Sequence, residues 1–147
     1  KLEELCFKNN SLEGAVLEVH LGNLTRLLNI RASANRLVLK VTSTWVPPFQ
    51  LEMVELDSWQ LGPQFPMWLC SQLYLIYLIL SNTGISDTIP ICISNLPLSV
   101  LSLSDNQISG LLPKPTSVVG KLDLSGNLFS GSLHPFLCHE CATRRSM

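Results

Sequence analysis

The chain has 147 residues, of which 46% are apolar and 14% are charged, and its formal net charge is −1. This composition suits a single folded domain, because a disordered chain is poorer in apolar residues and richer in charge. Nucleic acid and anionic membrane surfaces are not expected partners, since both require clustered basic residues that the sequence lacks. The longest apolar run, 73–80, has eight residues, and a membrane-spanning helix needs about 20.

A repeat with a period of 21 to 25 residues occupies most of the chain. The template is L-x-x-L-x-L-x-x-N-x-L-x-G-x-I-P, and its six copies begin near residues 2, 27, 51, 75, 98 and 119. The fourth, sixth and eleventh positions are apolar in every copy. The sequence therefore predicts six repeats over 1–135, followed by a non-repeat tail over 136–147 that we expect to be disordered.

The spacing within each repeat predicts its local structure. The L-x-L pair has a period of two residues, so both leucines point to one face of a short strand. A unit this short cannot bury its apolar face alone, whereas stacked units share one core and form a parallel sheet with one strand per coil. Prolines close several units and disfavour long helices, so 3-10 turns and short extended segments are predicted on the back.

The ninth template position predicts a stack of amide side chains. Asparagine fills it in four copies, at Asn10, Asn35, Asn106 and Asn127, which we call the asparagine ladder. A side-chain amide both donates and accepts hydrogen bonds, so it can satisfy backbone groups of its own coil and of a neighbouring coil. Trp59 and Thr83 interrupt the ladder, and we expect altered turn geometry at these two coils.

Four stretches resemble the repeats of a known plant family. The strings LSLSDNQISGLLP at 101–113 and LDLSGNLFSGSL at 122–133 resemble plant-type leucine-rich repeats. The strings WVPPFQL at 45–51 and SWQLGPQFPMW at 58–68 are similar to receptor-like proteins of the fungal-elicitor-receptor class. The resemblance implies an α/β fold, a right-handed solenoid forming a horseshoe segment with its parallel sheet on the concave face.

The same resemblance implies a function and a location. It implies the ectodomain of a plant cell-surface immune receptor that recognises a protein or peptide elicitor and signals through partner receptor kinases. It further implies plasma-membrane anchoring by a helix absent from this chain. Because the capping cysteines and membrane helix of that family are not recognisable here, we expect the chain to be a fragment of a longer receptor or a truncated gene product.

The outward strand positions are the candidate ligand-binding residues, because stacking would join them into one concave surface. They are Arg31, Met53, Glu55, Asp57, Tyr77, Ile79, Ser102, Lys121 and Asp123. Arg31 and Glu55 share a position on successive coils, so we expect an ion pair, worth less than about 1 kcal/mol if exposed. Met53, Tyr77 and Ile79 are expected to form a small apolar patch.

Two glycosylation sequons are present, N-N-S at Asn9 and N-L-T at Asn23. Each implies a surface position if the protein is secreted. Asn23 falls in the connecting stretch on the back, where a glycan has room. Asn9 falls at the concave edge, beside a ladder residue.

The five cysteines do not predict a pairing. Cys70 and Cys92 fall on the backs of adjacent coils but at different template positions, so a disulfide between them is not expected. Cys138 and Cys141 form one C-x-x-C pair, whereas a structural zinc site needs four ligands. No metal or cofactor is expected.

Catalysis is not expected either. The sequence has no nucleophile elbow, no phosphate-binding glycine loop and no H-E-x-x-H motif. A non-enzymatic binding segment of a plant receptor-like protein is the leading hypothesis. A secreted leucine-rich-repeat inhibitor of microbial polygalacturonase-type enzymes and a truncated, non-signalling array are the alternatives.

Overall fold

The computed structural model describes residues 1–112, 114, 119–133 and 137. In chain order the elements are β1 (Glu4–Cys6), β2 (Glu13–Leu17), α1 (Glu18–Leu21), β3 (Asn29–Arg31), β4 (Arg36–Lys40), β5 (Met53–Glu55), the 3-10 helix η1 (Met67–Ser71), β6 (Tyr77–Ile79), α2 (Ile91–Ser94), β7 (Val100–Ser102), β8 (Ser109–Gly110), β9 (Lys121–Asp123) and β10 (Leu128–Phe129). The expected disordered tail over 136–147 and the C-x-x-C pair of Cys138 and Cys141 lie outside these residues, apart from position 137.

One parallel sheet of six strands runs along the chain in the order β1-β3-β5-β6-β7-β9. Its register places the central strand residues in a single file of Leu5, Ile30, Val54, Leu78, Leu101 and Leu122. Val54 and Leu78 in the middle of the file are fully buried, whereas Leu122 at the last strand is 38% exposed. The predicted stack of coils with one short strand each is confirmed.

The back of the stack carries short extended segments and single helical turns. β2 pairs with β4, and an isolated bridge joins Val38 to Gln60 on the next coil. β8 pairs with β10 in a second parallel strip. Extended prolines immediately precede η1 and α2, at Pro66 and Pro90. This agrees with the predicted back of 3-10 turns and short extended segments, since proline restricts the residue before it to extended backbone.

The chain leaves each of the six strands through the same left-handed turn. The turn residue has a positive φ in every coil: 58° at Asn9, 61° at Ala34, 68° at Ser58, 54° at Asn82, 57° at Asp105 and 67° at Gly126. Non-glycine residues rarely adopt this conformation. The surrounding hydrogen bonds must therefore stabilise it.

Asparagine side chains supply several of those bonds. Asn106 Nδ2 donates to the carbonyl of Leu80 on the preceding coil at 2.9 Å and to that of Leu103 on its own coil at 3.0 Å. Its Oδ1 accepts from the backbone N–H groups of Thr83 and Ile85. One buried amide thus joins two coils, and the corresponding bonds are present at Asn35 and Asn127.

The expectation of altered turns at Trp59 and Thr83 is wrong, because both side chains replace part of the asparagine pattern. Trp59 Nε1 donates to the carbonyl of Ala32 on the preceding coil at 2.8 Å. Thr83 Oγ1 donates to the carbonyl of Leu80 on its own coil at 2.9 Å. Each therefore keeps one of the two carbonyl contacts an asparagine would make, and the turn is unchanged.

The expectation that Cys70 and Cys92 do not pair is also wrong. They form a disulfide between η1 and α2, with their Cα atoms 5.6 Å apart. The template defines positions relative to the strands, whereas on the back the positions of Cys70 and Cys92 depend on the helical turns η1 and α2. Residues at different template positions can therefore lie side by side there. Cys6, by contrast, is an exposed free cysteine on β1.

Replacing Asn106 by alanine should lower the free energy of unfolding by about 2–4 kcal/mol, because buried donors and acceptors on two coils lose their partner. Asn10 is the matched control, since its exposed amide bonds only to carbonyls of its own coil. Asn10→Ala should cost less than about 1 kcal/mol. Urea unfolding followed by circular dichroism measures both, and equal losses would contradict the inter-coil role of Asn106.

Removing the disulfide with Cys70→Ala and Cys92→Ala together should cost about 3 kcal/mol, because the bond closes a loop with a sequence separation of 22 residues. Cys6→Ser is the control and should leave the unfolding midpoint unchanged. Thermal unfolding without reductant measures the effect. A double variant as stable as the parent would show that the backs of these coils hold their register without the bond.

Candidate functional site

We use the term sheet face for the side chains of the six-stranded sheet and its following turns that point away from the core. Neighbouring strands align equivalent positions, so residues 21 to 25 apart in sequence become lateral neighbours. One row of the face comes from the template position between the two leucines of the L-x-L pair. It contains Arg31, Glu55, Ile79, Ser102 and Asp123. Eight of the nine predicted residues lie on strands of this face, and Asp57 lies just after β5.

Glu55 is the centre of a charge network on the first three coils. Its carboxylate lies 3.8 Å from Arg31 Nε and 3.4 Å from Lys8 Nζ. Arg31 also reaches Glu4, at 3.9 Å. Glu55 is only 9% exposed, whereas the side chains of Arg31 and Glu4 are 37% and 53% exposed. The predicted pair of Arg31 and Glu55 is therefore present and shielded from solvent on the Glu55 side only.

Asp57 lies beside this network and differs from Glu55 in its partners. Its Oδ1 accepts the backbone N–H of Ser81 at 3.3 Å, and it forms no ion pair with a described residue. Burial raises the pKa of Asp57 above its ordinary value of 3.8 and the charge of Glu55 adds to the rise, whereas the Ser81 N–H and the charge of Lys8 partly offset it. Asp57 is therefore a half-buried carboxylate that has no ion pair to a described residue and is only partly compensated by the more distant Lys8.

Tyr77 borders the same cluster from the next coil. Burial raises the pKa of its hydroxyl above the ordinary value of 10.0, and the carboxylates of Glu55 and Asp57 add to the rise. Its neighbours in register are Met53 on β5 and Val100 on β7. The aromatic ring of Tyr77 therefore lies at the boundary between the charged side chains of the first three coils and a less polar part of the sheet face.

Serine hydroxyls cover the fourth and fifth coils. Ser81 Oγ lies 3.0 Å from Ser102 Oγ and 2.8 Å from Ser104 Oγ. Ser102 and Ser104 are buried. These three hydroxyls satisfy one another, so this part of the face is polar but uncharged.

The remaining predicted residues form no ion pair with the charge network. Met53 and Ile79 are half-buried; Met53 is in register with Tyr77, and Ile79 is in register with Glu55. Lys121 and Asp123 lie on β9, the last strand of the sheet. Hydrogen bonds from the Ser125 hydroxyl and backbone N–H lower the pKa of Asp123.

Sequence reasoning missed the contacts of Lys8 with Glu55 and of Glu4 with Arg31. It compared residues at one template position, and so it paired Arg31 with Glu55 alone. Lys8 stands two template positions further along its coil, and its long side chain crosses the neighbouring strand to Glu55. Comparing outward residues two coils apart and two template positions apart would have predicted this contact.

The sequons lie at exposed positions. Asn9 occupies the left-handed turn after β1, and Asn23 lies in a turn after α1. Neither side chain takes part in a hydrogen bond of the described residues.

Among the described residues, no group of three or more His, Cys, Asp or Glu side chains is placed to hold a metal ion. None of the helices in that part of the chain has the length and hydrophobicity of a membrane span.

The architecture and the face of aligned strands define a leucine-rich-repeat protein. The Leucine Rich Repeat family model matches residues 74–96, 97–117 and 120–139. The chain is 45% identical over 127 residues to Receptor-like protein EIX1 and 42% identical over 128 residues to Receptor-like protein EIX2, both of Solanum lycopersicum. It is 32% identical over 137 residues to Receptor-like protein 1 of Arabidopsis thaliana.

These alignments cover 82–90% of the chain and 12–13% of each relative. The chain belongs to the plant leucine-rich-repeat receptor-like proteins.

Asp57→Asn should raise the free energy of unfolding at pH 7 by less than about 1 kcal/mol, since solvent screens a half-exposed charge. Because its pKa is raised in the fold, the carboxyl contributes stability below about pH 4 and loses it as the pH rises through the folded value. The increase in the free energy of unfolding caused by Asp57→Asn should therefore vanish near pH 3.

The matched control is Asp123→Asn, which removes a carboxylate whose pKa is lowered. It should not raise stability at pH 7. Urea unfolding at both pH values measures the two variants, and a destabilised Asp57→Asn at pH 7 would contradict the uncompensated charge.

Proposed function

We propose that this chain is a non-enzymatic, partner-binding segment of a plant cell-surface receptor, and that the sheet face is its binding surface. The observation that carries the proposal is the composition of that face. It combines a shielded charge network at Glu55 with half-buried Met53, Tyr77 and Ile79 and uncharged serine hydroxyls. Mixed surfaces of this kind, with an aromatic residue beside charged groups, suit protein recognition.

The proposed partner is a protein or peptide elicitor, and the parent receptor signals through partner receptor kinases. The relatives support a receptor, because they are receptor-like proteins. The chain spans 12–13% of their length. Kinase partnering is accordingly proposed for the parent protein and elicitor contact for this segment.

An extracellular location at the plasma membrane is part of the proposal. The disulfide between Cys70 and Cys92 supports it, because such bonds persist in oxidising compartments. The exposed sequons at Asn9 and Asn23 are consistent with the secretory route.

Selection from a random-peptide display library on the immobilised chain tests the binding surface. Peptides enriched on the parent chain should lose affinity by about tenfold or more for Tyr77→Ala, as expected for an aromatic contact residue. Tyr74→Ala is the matched control, because Tyr74 is 66% exposed and precedes β6 outside the sheet face. Peptides equally sensitive to both variants, or to neither, would refute the sheet face as the binding surface.

Secretion from plant cells should add glycans at Asn23 and Asn9. Mass spectrometry before and after peptide-N-glycosidase treatment should show one fewer glycan in Asn23→Gln and one fewer in Asn9→Gln. Asn95→Gln is the control, since Asn95 is exposed but lies in no sequon. An unglycosylated product would contradict both modification sites.

A further inference from the structure

We propose that the sheet face recognises a basic segment of its partner, in which a lysine or arginine side chain pairs with Asp57 beside Tyr77. The inference rests on the proposed function, because it names the chemistry of the partner at that same surface. It follows from the distribution of charge on the face and from the half-buried position of Asp57.

Both cations near Asp57 are already committed to other carboxylates. Lys8 pairs with Glu55, and Arg31 pairs with Glu55 and Glu4. On the sheet face of the first three coils, the carboxylates of Glu4, Glu55 and Asp57 thus share the two cations Lys8 and Arg31. The excess negative charge is located at Asp57, the one of the three carboxylates without an ion pair to a described residue.

Asp57 is held in place and ready to accept a further bond. Ser33 Oγ accepts the backbone N–H of Asp57 at 3.3 Å, and Asp57 Oδ1 accepts the backbone N–H of Ser81 at 3.3 Å. An ionised carboxylate has about four acceptor positions, so it can still accept a further hydrogen bond from a partner. A half-buried charge costs free energy unless it is paired, so an arriving cation gains more here than at an exposed carboxylate.

The surface beyond Asp57 suits the rest of such a segment. The outward residues of β6 and β7 are uncharged: Tyr77, Ile79, Val100 and Ser102. The Tyr77 ring can stack against a guanidinium or ammonium group, which adds a cation–π contribution. Ile79 offers an apolar contact to a neighbouring partner side chain. An acidic segment would be repelled by the carboxylates of Asp57 and Glu55, which both lie near Tyr77.

A charge that is costly in the free protein suits a binding site, because it is compensated when a partner of opposite charge binds. Asp57 has this property, since burial opposes its ionisation. The charged and titratable groups that interact with Asp57 are Glu55 on its own coil, Lys8 on the first coil and Tyr77 on the next coil. Arg31 on the second coil interacts with Glu55 and Tyr77. None of the described cations pairs with Asp57.

The library-selected peptides provide the first test. Peptides that require Tyr77 should be enriched in lysine or arginine, and Asp57→Asn should weaken their binding about five- to tenfold. Glu13→Gln is the matched control, because it removes the same charge from the exposed strand β2 outside the sheet face. Fluorescence anisotropy of labelled peptides measures each affinity.

The outcomes separate the two proposals. Peptides that require Tyr77 but lack basic residues, or that bind Asp57→Asn and the parent equally, would overturn the inference and leave the proposed function standing. If no selected peptide requires Tyr77, the proposed function fails and the inference fails with it.

A charge exchange provides the second test and excludes a merely structural effect of the substitution. Asp57→Lys should bind the selected peptides at least tenfold more weakly, and it should bind versions in which each lysine or arginine is replaced by glutamate more tightly than the parent chain does. Circular dichroism confirms that the variant is folded. A folded Asp57→Lys that loses both peptide sets would overturn the inference.

Discussion

The stacking of one coil on the next is the constraint on which the rest of the structure depends. A coil of 21 to 25 residues contributes one three-residue strand to the six-stranded sheet and cannot enclose its own leucines. Stacking buries them in common, as the fully buried Leu78 and Leu80 in the middle of the array show. It also creates tight turns whose backbone groups need partners. Buried amides such as that of Asn106 provide those partners across two coils.

Because stacking aligns strands, it also assembles the sheet face from residues that are distant in sequence. Lys8, Arg31 and Glu55 come from three coils and meet within 4 Å. The same alignment partly buries Asp57 without an ion pair to a described residue, and burial opposes its ionisation. Nearby, the buried Nε of Arg31 has no hydrogen-bond partner among the described residues. Local conflicts of this kind are expected at binding sites.

The back of the stack follows different rules from the sheet. Strand register is fixed by backbone hydrogen bonds between every neighbouring pair of strands, whereas the back contains a strip at β2 and β4, single helical turns at η1 and α2, and a disulfide. Residues at different template positions can therefore meet there. Trp59 shows a related tolerance inside the core, because its indole N–H reaches a carbonyl that an asparagine would otherwise reach.

The sequence by itself determined the repeat, the parallel sheet and its core file, because leucines at a fixed period admit one common buried face. It also located the outward residues, including Arg31, Glu55 and Tyr77. Only the tertiary structure decided which of them meet, since side-chain length and burial set the contact of Lys8 with Glu55 and leave Asp57 without an ion pair among the described residues. It likewise decided the Cys70–Cys92 bond, because the helical turns on the back change the register that the strand template defines.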